Sequence, residues 1–492
     1  MFVSAVAVEN RGKRTSNPKF SSRAQHVDMA DLLWQDFTAA HLTEDGHLLA
    51  STICPEPPKN DPARLYNFRR WSNEYSVQTD LRYKLQYNPE LQLSKKEAGT
   101  WLEIFTVYHM FVGKLLAAEE AQNAGKAKEA DWTGVYDGWK EVLNSFHRAY
   151  NNGIFAAWTI PCIYVVGKYL RIFAIKADEK IQYQRESGLS FGGLQEEDVF
   201  AVSNEKLEDA ARQINRLFAL CLGDRSPLED SRKWALYFVA NLLFKTYFKL
   251  NSISLCKNII RSLKAAVDDM PPLSAFPRAH QVTFRYYSGV VSFLEEDYAT
   301  AEQFLVSAYE MCDKKAANNL QLILTYLIPT KMLTSHRLPT AAVLSQSPRL
   351  DHLFRPICSA IKRADLHAFN QAMEQGEDEF VKRRIYLTLE RGRDIILRNL
   401  FRKVYLAGGH EAQKEGDTSP PVRRTRIPIA EFSAALQMSG AEVGDGDGGV
   451  DVDEVECLIG NCIYKNFMKG YIARERGMVV LSKAGPFPGT GV

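Results

Sequence analysis

The sequence lacks most of what would mark an enzyme, a metal protein or a membrane protein. Its eight cysteines are scattered and form no Cys-x-x-Cys pair. The nearest two, Cys457 and Cys462, are five positions apart, about 500° around a helix of 3.6 residues per turn, so they do not share a face. Isolated buried thiols in a reducing compartment fit this scatter better than zinc ligands or disulfides do. No P-loop, H-E-x-x-H or dinucleotide-binding glycine pattern occurs, and the ten histidines form no pair at metal-ligand spacing. These gaps imply no catalytic residues, no metal and no cofactor. The most apolar stretch, Trp158 to Ile175, carries Lys168 and Arg171 and is expected to break at Pro161. A membrane span needs about 20 mostly apolar residues, so no anchor is expected there. The opening Met1 to Val8 has no basic lead and is short for a secretory signal, so residues 1–25 read as a flexible tail. Charge of one sign is missing too: 61 basic against 59 acidic side chains leave a net +2. Any nucleic-acid surface must come from local segregation of charge.

What is present is a chain of 492 residues, 46% hydrophobic and 24% charged, ordinary for a soluble protein of two to four domains. Helical periodicity runs from His26 to Ala50, breaks at Cys54-Pro55-Glu56-Pro57-Pro58, and resumes from Leu65 to Lys114. Ala117–Ala130 and Ile181–Asn204 are polar or low in complexity and read as surface loops or loosely held helix ends. From Glu205 to Val404 the pattern is of successive amphipathic helices. Tyr286, Val290 and Phe293 share one face; Glu295-Glu296-Asp297 turns the chain; Ala301, Leu305, Ala308 and Cys312 form the answering stripe. Such pairs resemble tetratricopeptide repeats, although no strict 34-residue period is present, and they bury their apolar faces only by stacking.

The last hundred residues change character. A short helix is expected to start at Ile427-Pro428, with Ile429, Phe432 and Leu436 on its apolar face. After the Gly- and Asp-rich loop Ser439–Val450, a second helix is expected to open at Asp453 with Glu456 completing a capping box. Its stripe is Val455, Leu458, Ile459, Cys462 and Ile463. Two β-type runs follow, Tyr471–Ala473 and Met478–Leu481, around Arg474-Glu475-Arg476-Gly477. Helix, loop, helix and hairpin is the order of a winged helix. The expected fold is therefore all-α, a helical-repeat solenoid ending in a winged-helix module with a small β-hairpin. The expected divisions are a tail at 1–25, helical regions at 26–204 and 205–405, a linker at 406–426, the module at 427–483 and a tail at 484–492.

Two motif matches fail on context. Gly188-Leu189-Ser190-Phe191-Gly192 fits the nucleophile-elbow pattern, but the polar run before it is not the buried strand that motif requires. Asp445, Asp447 and Glu456 fit three positions of a calcium loop, but Val450 stands where the sharp turn needs glycine.

Charge segregation is the more informative feature. Val381–Arg426 carries twelve basic and five acidic residues, and Tyr464–Lys483 five basic and one acidic. Ala441–Glu456 between them has seven acidic residues and no basic one. A charged helix face is commonly just a solvated face. The functional alternative is a phosphate-contacting surface on the wing and the preceding basic helix. The acidic start of the second helix, Asp451 to Glu456, argues against insertion into a DNA groove.

Helical repeats running into a terminal winged helix resemble the PCI fold of the proteasome lid, the COP-nine signalosome and translation initiation factor three. The chain is most similar to the signalosome-subunit-twelve-like family, which includes the TREX-2 mRNA-export subunit. The resemblance is sharpest at Leu322–Pro329, Arg398–Leu406 and Asp451–Cys457. It continues through Ile463-Tyr464, Lys469–Ile472 and Ser482-Lys483 to Pro488, while the Gly-Asp insertion at 440–450 departs from it. It implies a non-enzymatic scaffold in a nuclear complex coupling transcription to mRNA processing or export, with some presence in the cytoplasm as an alternative. It also implies pairing with a second PCI-domain protein through the winged helix, and binding of a small acidic disordered protein of the proteasome-lid type. Weak, sequence-independent RNA or DNA binding would use Arg398, Arg402, Lys403, Lys465, Lys469, Arg474, Arg476 and Lys483. The competing expectation is a signalosome-associated protein–protein scaffold with no nucleic-acid role.

Overall fold

The computed structural model describes residues 31–88, 90–126, 128–189, 204–411, 423–440 and 451–491. Ser190, the calcium-loop positions 445 and 447, and the expected tail at 1–25 lie outside them. The chain divides into two compact units, residues 1–200 and 201–492.

Among its described residues the regular structure of the first unit is helical, with α-helices Asp31–Thr43, Gly46–Thr52, Arg64–Trp71, Val77–Gln86, Lys95–Asn123, Trp132–Asn151 and Ile160–Leu189. Its starts follow capping chemistry, with Asp45, Ser94 and Asp131 each accepting from a backbone N–H in the first turn. The core is aromatic. Phe37, Phe68, Trp101, Phe105, Tyr108, Tyr136 and Trp139 are all fully buried, and Trp139 Nε1 donates to the Val166 carbonyl at 2.9 Å. Gly46 is required by a close approach, since a Cβ there would lie 1.9 Å from the Trp158 carbonyl oxygen. Of the two readings of Ala117–Ala130, the helix end holds as far as Asn123, with Ala118 buried, because Ala, Glu and Lys are good helix formers. Pro161, read as a break, instead sits in the first turn of Ile160–Leu189, where its missing N–H costs nothing. Residues 157–184 are long and apolar enough to span a membrane. Their apolar side, including Cys162, Val166, Leu170, Phe173 and Ala177, is buried within this unit.

In the second unit successive helices run from Glu205–Leu222 to Gly392–Ala407, and sequential neighbours pack on one another. The expected pair is present as Arg278–Leu294 and Tyr298–Met311, with Val290, Phe293, Ala301, Leu305 and Ala308 buried. Gly289 sets how closely they approach, since a Cβ there would lie 2.7 Å from Leu305 Cγ. Ser347 caps Pro348–Arg363 and Asp365 caps Leu366–Gln375.

The winged-helix module consists of β1 (Arg426–Pro428), a first helix (Ile429–Met438), a second helix (Val452–Tyr464), β2 (Gly470–Ala473) and β3 (Met478–Leu481). The sheet is antiparallel in the order β1-β3-β2. Strand β1 was not expected: Ile427-Pro428 pairs with Met478 and Val479 as the sheet edge, and Pro428 then serves as N-cap of the first helix. An edge strand tolerates the proline that a central strand would reject. The second helix is capped by Asp451, which accepts from the Asp453 backbone N–H, and not by Asp453. This moves the start two residues earlier than the capping-box reading.

One hydrophobic core runs from Val290 through the helices into the module. Phe401 of the basic helix Gly392–Ala407 meets Phe432 edge-on at 5.3 Å, and Tyr405 meets Phe487 at 5.8 Å. Phe487 is wholly buried although it falls in the expected tail, and the Pro486 carbonyl accepts from the Lys469 N–H at 2.8 Å. The module is therefore packed onto the helices before it.

Candidate functional site

Half of the cations that the sequence nominates for binding are engaged within the chain itself. Arg398 is only 7% exposed; its guanidinium donates to Asn399 Oδ1 at 3.1 Å and lies 5.9 Å from the Phe467 ring centroid. Burial, and then the neighbouring Arg402, lower its pKa from the ordinary arginine value. Arg402 is half-buried, its Nε without a hydrogen-bond partner among the described residues. Lys403 Nζ donates at 2.6 Å to the Arg363 carbonyl, one of the unpaired carbonyls at the end of Pro348–Arg363. Arg398 is thus removed from the exposed surface, and Lys403 bridges to the neighbouring helix.

Two more meet carboxylates at the two ends of the second helix or beside them. Lys465, its C-cap residue, reaches Asp394 Oδ2 at 2.7 Å. Arg474, on the wing, pairs with Asp453 and lies 3.5 Å from Glu456 Oε2. The acidic first turn of this helix therefore faces a cation of its own wing. An aspartate cap and acidic first-turn residues suit a helix N-terminus, where the helix dipole favours negative charge.

Lys469, Arg476 and Lys483 are exposed, and among the described residues their side chains make neither an ion pair nor a hydrogen bond. Lys469 and Lys483 are brought close by strand pairing, since the Ser482 N–H donates to the Lys469 carbonyl at 2.9 Å. Arg476 stands apart at the wing tip, in the single turn Arg474–Arg476 that Gly477 closes with φ of +57°. Gly470 begins β2 against the backbone of β3, and a Cβ there would lie 2.4 Å from the Val480 carbonyl oxygen. No other residue fits that approach.

The sequence reading passed over Arg426, Tyr464 and Tyr471. Arg426 is exposed on edge strand β1, Tyr464 is 89% exposed at the end of the second helix, and Tyr471 is 61% exposed on edge strand β2. The alternation Arg424-Thr425-Arg426-Ile427 could have signalled an edge strand, with Thr425 and Ile427 buried. Tyrosines at these positions read equally well as core until burial is known. Among the described residues no three His, Cys, Asp or Glu side chains gather as a metal site.

The PCI-domain family profile matches residues 372–483, spanning the last helices and the winged module. The chain is 50% identical to a protein named CSN12 homolog of Neurospora crassa, over 94% of this chain and all of that one. It is 36% identical to the CSN12 homolog of Schizosaccharomyces pombe over 73% of this chain and 79% of that one. It is also 32% identical to the PCI domain-containing protein 2 of Danio rerio over 82% of this chain and 89% of that one. With identity at this level over most of its length, and a helical array fused to a winged-helix module, the chain belongs to the CSN12-like family of PCI-domain proteins.

Proposed function

We propose that this protein is a non-catalytic scaffold subunit of a nuclear complex coupling transcription to mRNA processing or export. It joins a second PCI-domain protein through the winged helix, carries a small acidic disordered partner, and binds RNA or DNA weakly on its basic end. The observation that carries this reading is the continuous core between helices and module. A packed junction holds the module's two strand edges and its exposed cations in one fixed orientation, as an assembly surface requires. Lys469, Arg476 and Lys483 supply the phosphate-facing charge, with Arg398, Arg402, Lys403, Lys465 and Arg474 supporting it from within. Charge contacts of this kind hold the backbone and do not read sequence.

The second reading, a signalosome-associated scaffold without a nucleic-acid role, is favoured by one observation. Half of the nominated cations already have partners inside the chain. Affinity purification of the tagged full-length chain from nuclear extract, with and without nuclease, separates the two. Recovery of a second PCI protein with mRNA-processing or export factors and RNA supports the first reading. Recovery of cullin-associated subunits alone, with no RNA, overturns it in favour of the second.

A further inference from the structure

The outward face of the three-stranded sheet presents one exposed aromatic ring among cations, an arrangement fixed by strand register. Arg426 stands opposite Val480, and Val480 opposite Tyr471, so the three side chains form one row across the sheet. Their neighbours Ile427, Val479 and Ile472 form the corresponding row on the other face, where Ile427 and Val479 are completely buried. Side chains alternate along a strand, which places Lys469, two residues before Tyr471, on the outward side as well. Arg426, two strand spacings across the sheet, stands about 10 Å from Tyr471, and Lys469, two residues along the strand, about 7 Å, so both lie within one to two nucleotides' reach of the ring. Among the described residues the side chains of Tyr471, Arg426 and Lys469 make no hydrogen bond, ion pair or ring contact. None of the outward positions of the three strands is acidic, and nearby Glu431 is occupied by Arg424 at 2.9 Å.

A water-exposed ring flanked by unpaired cations suits a ligand that offers a flat π-face and negative charge at nucleotide spacing. Single-stranded nucleic acid does so, whereas in a duplex the bases are stacked on one another and out of reach. Among the described residues of the three strands, the other apolar side chains of this face are the half-buried Met478 and Val480 and the small Pro428 and Ala473, too little apolar surface for a stable protein interface core. We propose that this sheet face binds single-stranded RNA or DNA, with one base stacked on Tyr471 and adjacent phosphates on Arg426 and Lys469. This rests on the basic-surface reading above and adds to it the form of the strand and the residue that stacks.

The test is fluorescence anisotropy of the full-length chain with a labelled oligouridylate and with an RNA duplex of equal length. The single strand binds more tightly. Tyr471→Ala weakens its binding by roughly 5- to 150-fold, the range expected for one base–aromatic stack, and leaves duplex binding unchanged. Tyr471→Phe retains wild-type binding, and 5-iodouridine in the oligonucleotide crosslinks to the peptide containing Tyr471. Unchanged single-strand binding by Tyr471→Ala, while Lys469→Glu weakens both forms, overturns the stacking assignment and leaves the basic surface standing. No binding of either form by the wild-type chain overturns both and leaves this face to a protein partner.

Discussion

Lys465 Nζ lies 2.7 Å from Asp394 Oδ2, tying the end of the second module helix to the start of the basic helix. Both side chains are partly exposed, at 45% and 28%, so water and salt screen the pair. A double-mutant cycle with Lys465→Ala and Asp394→Ala should give a coupling of about 0.2–1 kcal/mol that shrinks as salt rises. Urea unfolding provides the measurement. A coupling several times larger would mean that this pair, and not the buried apolar contacts, fixes the module.

Those apolar contacts carry a larger expectation. Phe487 is fully buried against Tyr405 at a ring distance of 5.8 Å. Phe487→Ala should cost about 3–5 kcal/mol, the usual range for emptying a buried phenylalanine site. A denaturant midpoint indistinguishable from wild type would show that the last residues do not belong to the core.

Two glycines of the wing should separate by mechanism. Gly470→Ala places a Cβ 2.4 Å from a backbone oxygen that cannot swing aside, so the β2–β3 pairing must shift. Overpacking of this kind costs about 1–3 kcal/mol. Gly477 has φ of +57° but open space around it, so Gly477→Ala should cost only about 1 kcal/mol. Thermal unfolding of the two variants should rank them in that order.

Nucleic-acid binding should divide the cations in the same spirit. Lys469 and Lys483 have no acidic partner among the described residues, whereas Arg474 is paired with Asp453 and Glu456. Lys469→Glu with Lys483→Glu should therefore weaken RNA binding and lower the slope of log affinity against log salt by about 1.5 to 2. Arg474→Ala should change that slope little. A salt series by anisotropy reads both; an unchanged slope in the folded double variant removes these lysines from the interface.

In the first unit, His41 packs against Phe37, Trp101 and Trp158, and burial lowers its pKa to about 4 from an ordinary 6.5. Between those values the unfolded chain binds the proton that the folded chain refuses. Stability should therefore fall as pH drops from about 6.5 toward 4. Glu97, with Oε1 3.9 Å from His41 Nδ1, has a pKa raised by burial and contributes the opposite slope as its carboxyl protonates. His41→Gln should flatten the loss in this window, measured by urea midpoints across pH. A variant that keeps the wild-type slope would place the titration elsewhere.

The family, the helical class and the winged-helix order were legible in the sequence because each rests on local pattern. Stripes such as Ala301, Leu305 and Ala308 mark a helix face wherever they occur, and all three are fully buried here. Resemblance at the end of the chain pointed to the family that the identities then showed. Strand β1 was missed because three residues starting a sheet edge have no periodicity of their own. Their partner lies about fifty residues away, at Met478 to Val480. Phe487 could not be assigned to the core for the same reason, since its partner Tyr405 is distant in sequence.

Charge shows the division most clearly. The sequence by itself determined where the cations fall along the chain and that they alternate with an acidic segment. Only the tertiary structure decided which of them are available. It buries Arg398 beneath Phe467 and turns Lys465 and Arg474 toward carboxylates. It leaves Lys469 and Arg426 facing water on the sheet face of Tyr471, and Lys483 exposed further along the chain. The reason is physical: charge is a property of a residue, but solvation and pairing depend on neighbours that folding brings from far along the chain.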